Sequence, residues 1–221
     1  MMFRNLLNQA FDRIRFCTFC RRMATPGRLY CNNCEESLAG CRRSNWVKFN
    51  KGVPVLSLFN WLERQHPRLQ RLAQTLKGGG TSNIFRMYAQ ELLLLRQHCY
   101  PKLPDNREIV FVPAAAASVF GRDHAVELAY QLNFQVSHSQ KLDVLKRVGR
   151  SKQRSLSREE RFRRERFQLK RTFCPSEAKI VFVDDVYTTG STAASAYRAL
   201  NEPSDFEIWT LFYRPRLRQN R

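Results

Sequence analysis

Residues 179–200 constrain the fold more than any other stretch. Lys179-Ile-Val-Phe-Val183 reads as a buried strand, an acidic and hydroxyl-rich turn follows, and Ser191–Leu200 reads as a helix of small residues. The same order occurs upstream, where Glu108–Pro113 reads as a short buried strand. A helix over Asp123–Leu132 follows it, with Ala125, Val126, Leu128, Ala129 and Leu132 as its apolar positions. Val53–Phe59 predicts a first strand and Phe206–Tyr213 a last one. Between them lie helical patterns over about residues 67–76 and 83–98, separated by Lys77-Gly-Gly-Gly80. Strands alternating with helices at this spacing predict an α/β fold, a mostly parallel sheet with helices on both faces.

The chain has 221 residues, 43 % hydrophobic and 12 % aromatic. That suffices for one core of about 150 residues and a small appendage. The composition shifts near Lys51, which predicts a module over 1–50 and a main domain over 51–221. No run approaches the roughly 18 apolar residues of a membrane span, and Leu92–Leu95 sits in a polar helical pattern, so no membrane insertion is expected. Phe3, Leu6, Leu7, Ala10, Phe11 and Ile14 fall on one helical face with polar residues between them, unlike the continuous apolar run of a secretory signal. Seven cysteines, an odd number, with four of them in two C-x-x-C pairs, suit a reducing cytoplasm better than a disulfide framework.

The pairs are Cys17-Thr-Phe-Cys20 and Cys31-Asn-Asn-Cys34. Two pairs so close together can close a tetrahedral site around Zn²⁺, structural because all four positions are filled. The alternative is a set of buried thiols, and Cys41 is near enough to compete as a ligand.

Asp184 and Asp185 stand at the carboxyl end of the predicted strand, where parallel sheets bind ligands. Adjacent carboxylates accept hydrogen bonds from vicinal hydroxyls, and the following Thr188-Thr-Gly-Ser-Thr192 offers backbone N–H groups and hydroxyls at a helix N-terminus. The pattern suits a sugar and a phosphate bound side by side. Read piecewise, the same residues would only end a strand and cap a helix. There is no G-x-x-x-x-G-K, so it is not a nucleotide-binding P-loop.

Ile180–Thr192 resembles the phosphoribosyl pyrophosphate signature of type I phosphoribosyltransferases, and its union with an N-terminal cysteine module resembles the ComF (competence protein F, GntX-like) family. Weaker likenesses spread along the chain: Leu72–Lys77, Phe111-Val-Pro113, Gly121–Ala125 with Glu127-Leu-Ala129, and Gln153, Leu156, Ser157 and Arg161. The chain departs from the family pattern at Phe120, Arg122, Asp123 and Arg164. The resemblance implies a phosphoribosyltransferase-like sheet that binds phosphoribosyl pyrophosphate or a related ribose phosphate. Asp184 and Asp185 would take the ribose, Thr188, Thr189, Gly190, Ser191 and Thr192 the 5-phosphate, and Lys77 with Ala114 and Ala115 the pyrophosphate and its Mg²⁺. Residues 148–157, with Gln153 and then Arg161, would form a hood over the site. It further implies a role in DNA uptake during natural transformation, with competence-machinery proteins as partners. The alternatives are an active phosphoribosyltransferase on an unidentified acceptor, and a ligand-sensing regulator.

Charge supplies a third feature. The chain carries 38 Lys+Arg against 19 Asp+Glu, a net +19. Residues 141–171 hold thirteen basic and four acidic side chains, a net +9. Single-stranded DNA is therefore an expected partner, with a solvated basic face as the alternative. The segment reads as a short strand, a loop and a charged helix. With Phe162 and Leu169 as the buried stripe, Arg161, Arg163 and Arg164 would face DNA, with Arg158 and Arg166 nearer the stripe. Phe167 does not fit that helix.

Overall fold

A computed structural model describes residues 17–20, 22–24, 28–41, 47–48, 52–61, 67–79, 82–99, 108–114, 123–148, 167–170 and 178–214. The elements in chain order are α1 (Asn32–Ala39), β1 (Val47–Lys48), β2 (Pro54–Asn60), α2 (Pro67–Gly79), α3 (Ser82–Cys99), β3 (Ile109–Pro113), α4 (His124–Gln135), β4 (Ser139–Lys141), β5 (Leu145–Arg147), β6 (Phe167–Leu169), β7 (Lys179–Tyr187), α5 (Ser191–Ala199) and β8 (Phe206–Tyr213). The fold is α/β. Five parallel strands, in the order β2-β8-β7-β3-β4, are flanked by helices, and β1 adds antiparallel to the β2 edge.

Because side chains alternate across a sheet, each central strand feeds two cores. Phe111, Val181, Val183, Trp209 and Leu211 pack on one face with the apolar sides of α2, α3 and α4. Val110, Val112, Ile180, Phe182 and Ile208 pack on the other with α5 and the β5–β6 ribbon. Helix α3 buries Phe85, Tyr88, Ala89, Leu92 and Arg96, and α4 buries Ala125, Leu128, Ala129 and Leu132. Both sets follow the three-and-four spacing of a helix with one buried stripe. The first core also runs into the cysteine-rich segment. Tyr30 and Leu38 are fully buried in it, the Tyr30 and Tyr88 hydroxyls share a 2.6 Å hydrogen bond, and the Asn60 amide donates to the Cys41 carbonyl at 2.6 Å.

Three expectations change. Residues 167–169 are a strand, not the end of a charged helix: Phe-Gln-Leu alternates inward and outward, and β6 pairs antiparallel with β5. Phe167 is buried against Phe182, with ring centroids 6.3 Å apart, and its amide donates to Ser195 Oγ of α5. Leu169 pairs with Leu145 and so belongs to no helical stripe. Arg158, Arg161, Arg163, Arg164 and Arg166 lie outside the described residues, as do Ala115, Gln153 and the helix expected over 3–15.

The second change is at Lys77. Helix α2 runs to Gly79, so Lys77 and the next two glycines belong to the helix rather than to a separating loop. The buried Leu69, Leu72 and Leu76 carry the helix through its last turn, against a cost of about 1 kcal/mol per glycine. Third, β7 continues past Val183 to Tyr187, so Asp184 and Asp185 lie within the strand. Asp-Asp is poor strand sequence, but pairing with β8 carries on through Asp184 with Thr210, Val186 with Phe212 and Tyr187 with Tyr213.

Candidate functional site

Strand β7 outruns its other neighbour, since the β3 ladder ends where Pro113 meets Val183, closed by the Ala114 amide donating to the Val183 carbonyl at 2.8 Å. Asp184 and Asp185 therefore lie on the part of β7 that β3 no longer accompanies, at the carboxyl edge of the parallel sheet. The N-terminus of α4 stands beside them. Asp123 caps that helix, its Oδ1 accepting from the amides of Ala125 at 3.0 Å and Val126 at 3.4 Å. His124 places Nδ1 4.0 Å from Asp185 Oδ2, and its ring stacks on buried Phe85 at 5.6 Å and 14°.

The site is strongly acidic for its burial. Burial, with Asp185 next to it, pushes the Asp184 carboxyl well above the usual carboxylate range. The Asp185 amide, donating to Asp184 Oδ1 at 2.9 Å, and the Arg147 guanidinium oppose the rise. Burial raises Asp123 as well, helped by the Asp185 charge and opposed by its two capping amides and His124. Arg147 is the last residue of β5, its guanidinium 5.8 Å from the Phe167 ring centre.

Behind the carboxylates the chain turns through residues 188–190 into α5. Gly190 takes φ +74°, a left-handed conformation that favours glycine, and serves as N-cap without a side-chain cap. Thr189 Oγ1 lies 3.0 Å from Ser191 Oγ and accepts from the Ser191 amide at 3.4 Å. The carboxylate pair, hydroxyls and helix N-terminus thus follow one another along eight or nine residues, as expected. Ala114 is buried at the end of β3. Asp123, His124 and Arg147 are the site residues that the sequence reading did not assign.

The cysteine cluster forms a separate centre. Cys17, Cys20, Cys31 and Cys34 bring their sulfurs within 4.8 Å of one another, with Cys20 and Cys31 3.6 Å apart. A tetrahedral site with Zn–S bonds of about 2.3 Å has sulfurs about 3.8 Å apart, so four sulfurs at this spacing fit a structural metal such as zinc. Disulfides need about 2.05 Å. All four are free thiols. The Cys17 thiol is brought down to about 7: burial raises it, but amides of Cys20, Cys31 and Phe19 outweigh burial. Burial and the three neighbouring thiols push Cys34 up. Cys41 is buried in the core and lies outside the group of four.

Of the basic side chains at the C-terminal end, Arg214 stacks its guanidinium 4.2 Å from the centre of the Trp61 ring. No described helix is long and apolar enough to cross a membrane. No protein-family model matches the chain, and no curated protein matches it.

Proposed function

We propose that the carboxyl edge of β7 binds phosphoribosyl pyrophosphate or a related ribose phosphate, and that the chain is a ComF-like protein acting in DNA uptake. The observation that carries the reading is the placement of Asp184 and Asp185 on the stretch of β7 that runs past the end of β3, followed closely by Thr189, Gly190 and Ser191 at the start of α5. Two carboxylates accept from the two ribose hydroxyls, and the amides and hydroxyls that follow take the 5-phosphate. Mg²⁺ would come with the pyrophosphate, neutralising charge beside an already acidic site. Zn²⁺ is the metal we assign to the four cysteines, in a structural role.

Replacing Asp184 and Asp185 together with asparagine should weaken phosphoribosyl pyrophosphate binding by at least tenfold, since each lost charge-assisted hydrogen bond is worth about 1.5 to 3 kcal/mol. Folding should survive. Because folding raises the Asp184 pKa, ionising that carboxyl costs stability as pH rises from the unfolded value through the folded one. The variant therefore melts no lower than the wild type near neutral pH. Unchanged affinity in the folded double variant removes the ribose assignment.

The net charge of +19 supports single-stranded DNA as a second ligand, bound through phosphates rather than by base sequence. Each phosphate contact contributes about 0.7 to the salt slope on single strands, so replacing Arg161, Arg163 and Arg164 should flatten log K against log salt by about two. A slope that stays the same places the DNA contacts elsewhere or removes them.

A further inference from the structure

His124 stands where two elements meet the acidic pair, and nothing in the ribose-phosphate reading uses it. It is the first residue of α4, 4.0 Å from Asp185 through Nδ1, and Phe85 of α3 fixes its ring plane at 14° to its own. A helix N-terminus disfavours a cation. Here the positive end of α4 is offset by carboxylates on two sides, Asp123 at the cap and Asp185 on β7, with Glu127 one turn on in the same helix. The Arg147 charge acts on Asp184. Basic side chains of two different elements thus act on the carboxylate pair, Arg147 from the ribbon and His124 from α4.

We propose that His124 is a positioning residue of the ribose site: its ring nitrogen faces the Asp185 carboxylate and holds it in the orientation that meets the ribose hydroxyls, while Phe85 holds the ring. The inference rests on the ribose-phosphate reading and adds one residue to that site.

Three forms of the full chain separate the polar contact from stacking: wild type, His124→Phe and His124→Arg. Phenylalanine keeps the stack on Phe85 without a ring nitrogen, whereas arginine keeps a planar polar group that stacks on an aromatic face. Titrations with ribose 5-phosphate should show His124→Phe about tenfold weaker than wild type and His124→Arg within about threefold of it. Wild-type affinity in His124→Phe, or a His124→Arg form as weak as His124→Phe, overturns the proposal and leaves His124 a packing residue. If the wild type binds no ribose 5-phosphate, the ribose-phosphate reading fails separately, and the imidazole ¹⁵N resonances of His124 decide the contact: they should move in Asp185→Asn, and unmoved resonances overturn it.

Discussion

Replacing Cys34 with serine should strip the metal from the chain and lower its melting temperature by at least about 10 °C, on the order of 4 kcal/mol at 2 to 4 °C per kcal/mol. A serine hydroxyl is a poor substitute for a thiolate on a soft metal. The loss would spread, because the segment held by the four cysteines is not separate from the main core. Tyr30 and Leu38, fully buried, share a core with Phe59 and Tyr88, so loosening the segment uncovers the sheet face beneath it. Binding must displace the proton that burial holds on Cys34, so metal affinity should fall as pH is lowered. Elemental analysis and calorimetry of the wild type, Cys34→Ser and Cys41→Ser provide the check. The Cys41 variant should keep about one metal per chain, its sulfur lying outside the four. A Cys34 variant that keeps its metal, or melts within about 2 °C of wild type, contradicts the account.

The second large effect lies at the opposite, amino-terminal edge of the sheet. Glu207 of β8 accepts from Arg96 Nε and Nη2 at 3.1 and 3.0 Å and from Trp209 Nε1 at 2.8 Å, and it pairs with Lys179 Nζ at 2.8 Å. Lys179 also donates to Asp205 at 3.0 Å. Arg96, Lys179 and Glu207 are all buried, so α3, β7 and β8 are joined by a charge cluster inside the protein. Glu207→Gln leaves two buried cations with one carboxylate between them. The expected cost is about 3 to 5 kcal/mol, or roughly 6 to 20 °C in melting temperature. Although burial raises the Glu207 pKa, Arg96 and Lys179 together bring it below its ordinary value. Its contribution is then complete above the unfolded pKa and is lost as pH falls through the lower folded value. Thermal melts of wild type and Glu207→Gln should therefore converge in acid. Joint replacement of Arg96, Lys179 and Glu207 by apolar residues should recover much of the loss, since the buried charges leave together. A single variant as stable as wild type at neutral pH contradicts this view of the cluster.

Much of the fold was legible wherever burial is continuous. Phe206–Tyr213, apolar and aromatic but for Glu207 and Thr210, is one strand, and Lys179–Val183 is buried as read. Asp123 ahead of Ala125, Leu128 and Leu132 marks a helix start, and it does cap one. Where the reading failed, long-range pairing overrode a local pattern. Asp184 and Asp185 are themselves poor strand residues, yet β8 has partners far enough along, Thr210, Phe212 and Tyr213, to extend β7 through them. Phe167-Gln-Leu169 is three residues long and follows a run of arginines, so a helical pattern outweighed its two-residue alternation.

The candidate site divides along the same line. Asp184, Asp185 and the turn into α5 are contiguous in sequence, and their order carried the chemistry. His124 and Arg147 come from α4 and β5, tens of residues upstream; His124 comes within 4.0 Å of Asp185 on the part of β7 that runs past the end of β3, and Arg147 acts on Asp184 through its charge. Spacing along the chain holds no trace of that difference in strand length.

Calorimetric titration of phosphoribosyl pyrophosphate and Mg²⁺ into the full chain tests the central claim most directly. The account predicts a single class of sites, about one per chain, competed by ribose 5-phosphate through the shared ribose and 5-phosphate contacts. No heat of binding, or binding that ribose 5-phosphate leaves untouched, would contradict it.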